Sequence, residues 1–264
     1  MIKIAHEAPL SIFDKVQSKT DYDYFLVHLF EENEEYLNKA YESVAKGRET
    51  ILDNSIFELE EAWDGDRFAH WVEKMKPTYY IIPDVLDNCD ETINAFEKFT
   101  KEYTSLPGKT IAVAQGETYE NLVECYKYIA YDERVDKVAF SFNHPFFQEY
   151  PFDGNEAFKM MLGRNDMIER MIKDDIINTN KPHHLLGCGL PQEFKSYTDL
   201  EWIDSLDTSN PVVHGIKDIW YKSDGLDDKE SVKLFTMMND DVSKYWPAIL
   251  YNIREFRRMC NYVK

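Results

Sequence analysis

Short apolar runs recur along the chain with helix-like segments between them, and this alternation constrains the fold more than any other feature. Each run has the length and apolar content of a buried strand, and the intervening segments have the start and stop signals of helices. The predicted strands are Ile2–Ala5, Tyr24–Phe30, Thr50–Asp53, Tyr79–Asp84, Thr110–Gln115, Lys137–Phe142, His184–Gly187 and Trp202–Asp204. Alternation of this kind indicates parallel strands.

The number of strand–helix units then selects the fold class. Eight units in 264 residues predict an α/β fold of the (β/α)8 TIM-barrel type, with a doubly wound sheet as the alternative. No Gly-, Pro- or Ser-rich linker divides the sequence, which predicts a single domain over residues 1–264. The long aromatic segment after the sixth strand predicts an enlarged loop, about residues 143–165, at the active face.

The net charge of the chain restricts the classes of partner that it can bind. Its 49 acidic and 30 basic residues give a formal net charge of -19, which argues against a general electrostatic grip on phosphates or on an anionic membrane. A local basic patch is still compatible with this balance. The candidates for contacts with a nucleic-acid backbone are Arg164, Lys222, Arg254, Arg257, Arg258 and Lys264. The basic end of the last predicted helix also matches an ordinary preference of helix C-termini for cations.

The four cysteines and the N-terminal segment indicate the compartment. Cys89, Cys125, Cys188 and Cys260 are far apart and form no C-x-x-C pair, so neither a structural zinc site nor a disulfide framework is indicated. The first residues lack the pattern of a leader, and no run approaches about 18 apolar residues. We therefore expect a cytoplasmic protein with no membrane association, no metal and no cofactor; nothing in the sequence indicates an oligomeric state.

Polar residues and glycines follow most of the predicted strands, where a barrel places its catalytic groups. The candidates are His6, Glu7, Asp53, Asp84, Gln115, Gly116, Ser141, Phe142, Gly187, Cys188, Gly189, Asp204 and Asp207. Carboxylates among amides and close backbone suit a planar, hydrogen-bonding ligand, and a carboxylate can act as nucleophile or general acid and base. Helix caps and strand-exit turns are the plainer explanation of the same acids.

Four segments in one order resemble the tRNA-guanine transglycosylase superfamily, which are barrel enzymes that break the N-glycosidic bond of a base in nucleic acid. ILDNSIFEL is similar to the family's D-S-G-G-[FY]-Q, and VAQGETYENL to its V-Q-G-G-x-Y-E-D-L. HHLLGCGLPQEF is similar to Y-L-M-G-V-G-T-P-E-D-L, and IDSLDTSNPVVHG to F-D-C-V-L-P-T-R-N-A-R-N-G. Together the segments extend from residue 51 to residue 215.

The resemblance implies a role for each matching residue. Asp204 matches the aspartate that attacks the anomeric carbon, and Asp53 matches a second essential aspartate, the acid or base. Phe57 lies near the position of an aromatic that sandwiches the base. Asp84 and Gln115 match residues that read the base edge, and the segment from Gly187 through Cys188 to Gly189 matches the lining of the base pocket.

Departures from the family pattern bear on the substrate. Ser55 and Ile56 replace paired glycines, Ser141 and Phe142 stand where glycine and leucine donors occur, and the family's zinc lobe is absent after Gly215. The chain resembles the short zinc-free branch that modifies phage and bacterial DNA. This implies exchange of guanine for a free 7-deazaguanine, in single-stranded DNA or in a duplex with a flipped base. A DNA glycosylase that removes a modified base and leaves an abasic site is the alternative.

Two other classes of function fit parts of the pattern. One is a metal-dependent barrel hydrolase with Asp53, Asp84 and Asp204 as ligands, although few histidines follow the strands. The other is a barrel without catalysis that binds nucleic acid or a protein.

Overall fold

The structure is a computed structural model, and it describes residues 1–230 and 232–261. Within this part of the chain, eight strands belong to one sheet. They are β1 (Lys3–Ala5), β2 (Asp23–Leu26), β3 (Thr50–Asp53), β4 (Tyr79–Ile81), β5 (Lys109–Ala114), β6 (Lys137–Ser141), β7 (His183–Leu186) and β8 (Ile203–Asp207). The pairs β1–β8, β2–β3, β3–β4, β4–β5 and β5–β6 are parallel.

The order of the strands separates the two predicted fold classes. The sheet has the order β1-β8-β7-β6-β5-β4-β3-β2, so the strands follow the chain and the first lies beside the last. A doubly wound sheet instead reverses its strand order at an internal switch point. The sequential order is that of a (β/α)8 fold, and the predicted fold class is confirmed.

Helices follow the strands, as the alternation in the sequence predicts. In the described residues they are α1 (Phe13–Gln17), α2 (Leu29–Glu32), α3 (Glu34–Ala45), α4 (Ile56–Leu59), α5 (Gly65–Met75), α6 (Cys89–Glu102), α7 (Tyr119–Ala130), α8 (Glu156–Lys173), α9 (Asn210–Ile216) and α10 (Trp246–Cys260). Polar caps define several of their starts: the Asn33 side chain accepts from the N–H of Tyr36 in α3, and the Thr118 side chain accepts from Asn121 in α7.

The structure corrects several predicted boundaries. β4 ends at Ile81, three residues before the predicted Asp84. β2 ends at Leu26, well before the predicted Phe30, because the chain there turns into α2. β8 extends to Asp207, three residues beyond the predicted end. The predicted loop at 143–165 is shorter, because Asn155 accepts a hydrogen bond from the N–H of Phe158 (3.0 Å) and α8 begins at Glu156.

The chain divides into two compact units. The first unit consists of Met1–Asp21, Phe142–Arg170 and Leu185–Lys264, and the second consists of Tyr22–Ser141 and Met171–His184. In the first unit, buried aliphatic side chains join α1, α9 and α10. They include Ile12, Val16, Val212, Val213, Ile249 and Ile253. In the second unit, β3 to β5 pack through residues such as Ile51 and Ile111. The prediction of a single domain over 1–264 stays a prediction.

Candidate active site

In the second unit, polar side chains follow three neighbouring strands. Asp53 is the last residue of β3, Asn54 comes next, Asp84 follows β4, and Gln115 comes directly after β5. The pairing of β3 with β4 and of β4 with β5 is parallel, so these strand ends lie at one edge of the sheet. All four side chains are buried. Asn54, Asp84 and Gln115 form a continuous row of hydrogen-bonding groups.

The row consists of the Asp84 carboxylate between two carboxamides. Asn54 Nδ2 donates to Asp84 Oδ1 and Gln115 Nε2 donates to Asp84 Oδ2, both at 2.7 Å. Backbone N–H groups orient both amides from behind: Ile56 donates to Asn54 Oδ1 (3.0 Å) and Asp87 donates to Gln115 Oε1 (3.1 Å). Because each amide oxygen already accepts, each NH₂ group must face the carboxylate. The row is therefore held in one orientation.

The environment of Asp84 changes its acidity. Burial raises the pKa of this carboxyl to about 6, and the donors on Asn54 and Gln115 only partly oppose that effect. At pH 7 the group is still mainly ionised, so it remains a hydrogen-bond acceptor. A carboxylate can accept more than two hydrogen bonds, and this one retains lone pairs for a ligand.

Asp53 belongs to a second hydrogen-bonded group in the same unit. The Tyr24 hydroxyl donates to Asp53 Oδ2, and the N–H of Ser55 donates to Oδ1 (2.5 Å). The Tyr24 ring stacks on His184, with ring centroids 6.2 Å apart. A carboxylate held against a phenol is an arrangement that can exchange a proton with a ligand.

The turn after β3 explains how Asn54 and Phe57 are presented. Ser55 has φ 64, in the left-handed region, and the short helix α4 begins immediately after it. Its hydroxyl oxygen accepts from the N–H of His28 (3.3 Å), which helps to hold this turn. Phe57 is 46% exposed at the surface of α4. Its predicted contact with a base stays a prediction.

Close packing against α7 explains why residue 116 is a glycine. A Cβ at this position would lie 2.3 Å from the N atom of Leu122, so only glycine lets the strand exit approach the start of α7 so closely. Gly116 therefore helps to place Gln115. Ser141, the last residue of β6, is partly exposed.

In the first unit, Phe142 covers the glycine turn that follows β7. Gly187 has φ 62, and a Cβ there would lie 2.4 Å from Phe142 Cδ1. Lys229 Nζ lies 3.6 Å from the centroid of the Phe142 ring. Cys188 is buried, and burial raises the pKa of its thiol above the ordinary value. Gly189 lies close to the start of α8, where a Cβ would be 3.2 Å from the carbonyl oxygen of Ala157.

Arg164 has a structural position, and its prediction as a contact for nucleic-acid phosphates is wrong. The side chain is fully buried, and Nε donates to Glu193 (2.5 Å). Its remaining nitrogens donate to the carbonyl oxygens of Leu186 (2.9 Å) and Gly187 (3.1 Å). The guanidinium is thus committed to holding the turn after β7.

The two acids of β8 occupy different ends of the strand. Asp207 is its last residue, is buried and pairs with Ala5 of β1. Asp204 is its second residue, and one of its carboxylate oxygens lies 3.9 Å from Lys3 Nζ. The prediction that Asp204 ends the strand is therefore wrong, because the strand continues for three more residues. Of the two acids, Asp207 has the position at which a barrel places catalytic groups.

His6 and Glu7 follow β1 in the first unit. His6 Nδ1 lies 3.0 Å from the carbonyl oxygen of Thr208, and the ring packs edge-on against Phe256 of α10. Burial lowers the pKa of His6 to about 4, so the imidazole is neutral at pH 7. Glu7 is partly buried.

The other basic candidates lie nearer the surface. Lys222 pairs with Asp227, Arg257 pairs with Asp21 (2.9 Å), and Arg258 pairs with Glu255 (2.8 Å). Arg254 is exposed. Exposed pairs of this kind are weak and can be exchanged for a phosphate, so backbone contact stays a prediction for these residues. Lys264 lies outside the described residues.

No group of three or more His, Cys, Asp or Glu side chains that could hold a metal ion occurs in residues 1–230 and 232–261. The four cysteines are free and buried. Over the same ranges, no helix has the length and apolar content needed to cross a membrane.

Three residues of these arrangements were missed by the sequence reasoning. Asn54 stands beside Asp53 in the quoted motif but is indistinguishable there from an ordinary turn residue. Tyr24 lies inside a predicted strand, where an aromatic is expected to be core. Lys229 follows no strand and no motif. Only Asn54 had a signal, its place directly after a strand end.

No protein-family model and no curated protein sequence matches this chain.

Proposed function

We propose that this chain cleaves the N-glycosidic bond of a nucleobase in DNA. The observation that carries the proposal is the oriented row of Asn54, Asp84 and Gln115 in the second unit. A base edge presents alternating donors and acceptors in one plane, which is what such a row complements. The Gln115 NH₂ group makes one hydrogen bond within the described residues, to Asp84, and so has a second N–H for a ligand.

The chemistry of bond cleavage fits the types of residue available. The departing base carries negative charge while the sugar becomes oxocarbenium-like, so the base needs a proton or donors and the sugar needs a carboxylate. Asp53 with Tyr24 is the proposed proton-handling pair, and Asp84 with Gln115 the proposed reader of the base. The resemblance assigns the attacking carboxylate to β8, as Asp204 by segment match; Asp207 is the alternative by its position at the strand end.

The acceptor that completes the reaction defines the enzyme. With a free 7-deazaguanine as acceptor the enzyme is a transglycosylase, which is what the segment order of the resemblance implies. With water it is a DNA glycosylase that leaves an abasic site. A metal-dependent hydrolase is less well supported, because both oxygens of Asp84 face N–H donors.

Base release from phage and host DNA, measured by mass spectrometry of free bases, tests the proposal. Asp53→Asn should lower the rate about 10²–10⁴-fold by removing proton handling. Asp84→Asn should lower it roughly 10–100-fold, because an amide would then face the NH₂ groups of Asn54 and Gln115. Asp132→Asn is the control, since Asp132 pairs with Arg134 away from the row.

The outcomes separate the alternatives. Equal rates in Asp53→Asn, Asp84→Asn and Asp132→Asn proteins would contradict the proposal. Comparison of Asp204→Asn with Asp207→Asn assigns the carboxylate of β8. Incorporation of labelled 7-deazaguanine identifies exchange, and accumulation of abasic sites identifies hydrolysis. Loss of activity on addition of a chelator would favour the metal-dependent class, and DNA binding without any base release would favour the non-catalytic one.

A further inference from the structure

Lys15 and Lys244 are exposed lysines of the first unit that lie over aromatic rings, 5.7 and 4.7 Å from the ring centroids. Lys229, in the irregular segment after α9, is closer to its ring and less exposed. Its ammonium lies 3.6 Å from the centroid of the Phe142 ring. Within the described residues it has no carboxylate at ion-pairing distance and no hydrogen bond from Nζ. Lys222, seven residues earlier, instead makes an exposed pair with Asp227. The Lys229 side chain is only partly exposed.

Lys229 lies against the Phe142 ring, with Arg164 and Glu193 near enough to act on its charge. The Phe142 ring beneath it is itself packed on the backbone of Gly187, and Arg164 fixes the same turn through the Leu186 and Gly187 carbonyl oxygens. The amine is therefore held over an aromatic surface instead of moving freely in water. An unpaired, partly desolvated lysine on an apolar surface is the usual setting of an amine that reacts with carbonyl compounds.

The protonation of the amine agrees with this geometry. Burial lowers the pKa of Lys229 to about 8. Cys188 opposes this shift with the next largest effect, and the charge of Arg164 adds to it, against Glu193 and Glu156. At pH 8 about half of the amine is neutral, roughly a hundredfold more than for an ordinary lysine of pKa about 10.4.

We propose that Lys229 is a nucleophilic amine that forms an imine with an aldehyde, and that its substrate class is the ring-opened deoxyribose of an abasic site in DNA. The choice of this aldehyde rests on the hydrolytic form of the proposed function, since removal of a base by water produces such a site. The activity would make the protein a lyase as well as a glycosylase.

The proposed step balances without a redox partner. The lone pair of the Lys229 amine attacks the C1′ carbonyl carbon, and the oxygen takes up a proton as the nitrogen loses one. The carbinolamine then loses water to give the imine. Solvent removes a proton from C2′, the electron pair of that C–H bond forms the C2′–C3′ double bond, and the bond from C3′ to oxygen breaks with its electron pair leaving on the phosphate. Water hydrolyses the imine and restores the amine.

Borohydride trapping on an oligonucleotide with a preformed abasic site tests the inference. Reduction of the imine should give a covalent protein–DNA adduct, and peptide mapping should place it on Lys229. Lys229→Arg retains the charge and the ring contact but cannot form an imine, so trapping should fall to background. Lys229→Met should give the same loss. Lys244→Arg is the control, because Lys244 is an exposed lysine of the same unit whose Nζ lies 4.7 Å from the centroid of the Tyr245 ring, and it should trap as the wild type does.

Trapping at the wild-type level in Lys229→Arg, or an adduct mapped to another lysine, would overturn the inference, as would absence of trapping by the wild-type protein. Thermal unfolding of each variant checks that loss of trapping is not loss of fold. Because the abasic site is supplied, base release is not needed. If the protein releases bases but gives no trapped adduct, only the inference about Lys229 is overturned. If it gives the adduct but releases no base, the inference about Lys229 is supported and the proposed function fails.

Discussion

The two units hold their buried charges in opposite ways. In the second unit, two neutral amides hold the Asp84 carboxylate, and burial raises its pKa to about 6. In the first unit, Arg164 is paired with Glu193 and two carbonyl oxygens. Burial is the largest single influence and opposes the Arg164 charge, but the Glu193 carboxylate, Tyr197 and Cys188 together outweigh it and hold the pKa above its ordinary value. The Asp84 carboxylate can still accept a hydrogen bond from a ligand, whereas the Arg164 guanidinium donates to groups of the protein itself.

This difference separates recognition from scaffolding. A carboxylate held by neutral donors keeps lone pairs and a pKa near neutrality, so a ligand can change both its hydrogen bonding and its protonation. A buried ion pair whose nitrogens donate to groups of the protein itself cannot respond in this way without breaking. Arg164 positions the turn after β7, whereas ligand reading by the Asp84 row remains our proposal.

Removal of Arg164 should have the largest effect on stability. Arg164→Met leaves the Glu193 carboxylate buried without its cation, which should lower the free energy of unfolding by about 3–5 kcal/mol. Arg170→Met is the matched control in the same helix, because the exposed pair of Arg170 with Asp166 should contribute about 0–1 kcal/mol. Chemical denaturation of both variants measures the difference.

A double variant sharpens this result. If the loss comes from the uncompensated charge, Arg164→Met combined with Glu193→Leu should recover part of the stability. Equal stability of Arg164→Met and Arg170→Met would show that the buried pair does not hold the first unit together.

The Asp84 row should show a pH dependence of intermediate size. The folded pKa of about 6 lies above the unfolded value of about 3.9, so the folded state holds the proton between these values. The free energy of unfolding should therefore fall by about 2–3 kcal/mol as the pH rises from 4 to 6 and beyond. Asp84→Asn should lack this dependence. Denaturation midpoints of both proteins from pH 4 to pH 8 measure it, and parallel curves would contradict the assignment.

The parts of the fold and site that the sequence predicts are those set by local pattern. Alternation of apolar runs with capped helices predicts the (β/α)8 order, and the ends of the apolar runs place Asp53 at the end of β3 and Gln115 directly after β5. The exact end of a strand is not local: in IDSLD both Asp204 and Asp207 are compatible with a strand exit, and the pairing with β1 decides between them.

Tertiary packing accounts for the rest. Arg164 carries the same charge as a surface arginine, and only its burial against Glu193 shows that phosphates cannot reach it. Lys229 lies in an irregular segment, where no periodicity relates it to Phe142. Among the residues discussed, the charged side chains whose role depends on burial are the hardest to predict from sequence.

The smallest expected effect concerns the turn that presents Asn54 to Asp84. Ser55 has φ 64, a conformation that glycine adopts without the steric cost of a Cβ. Ser55→Gly and Ser55→Ala both lose the hydroxyl that accepts from the N–H of His28. The glycine variant should therefore be more stable than the alanine variant by about 1 kcal/mol, measured by chemical denaturation. If instead the alanine variant is at least as stable, the left-handed turn is not what holds Asn54 in the row, and the orientation of that amide must depend on its bonds to Ile82 and Asp84 alone.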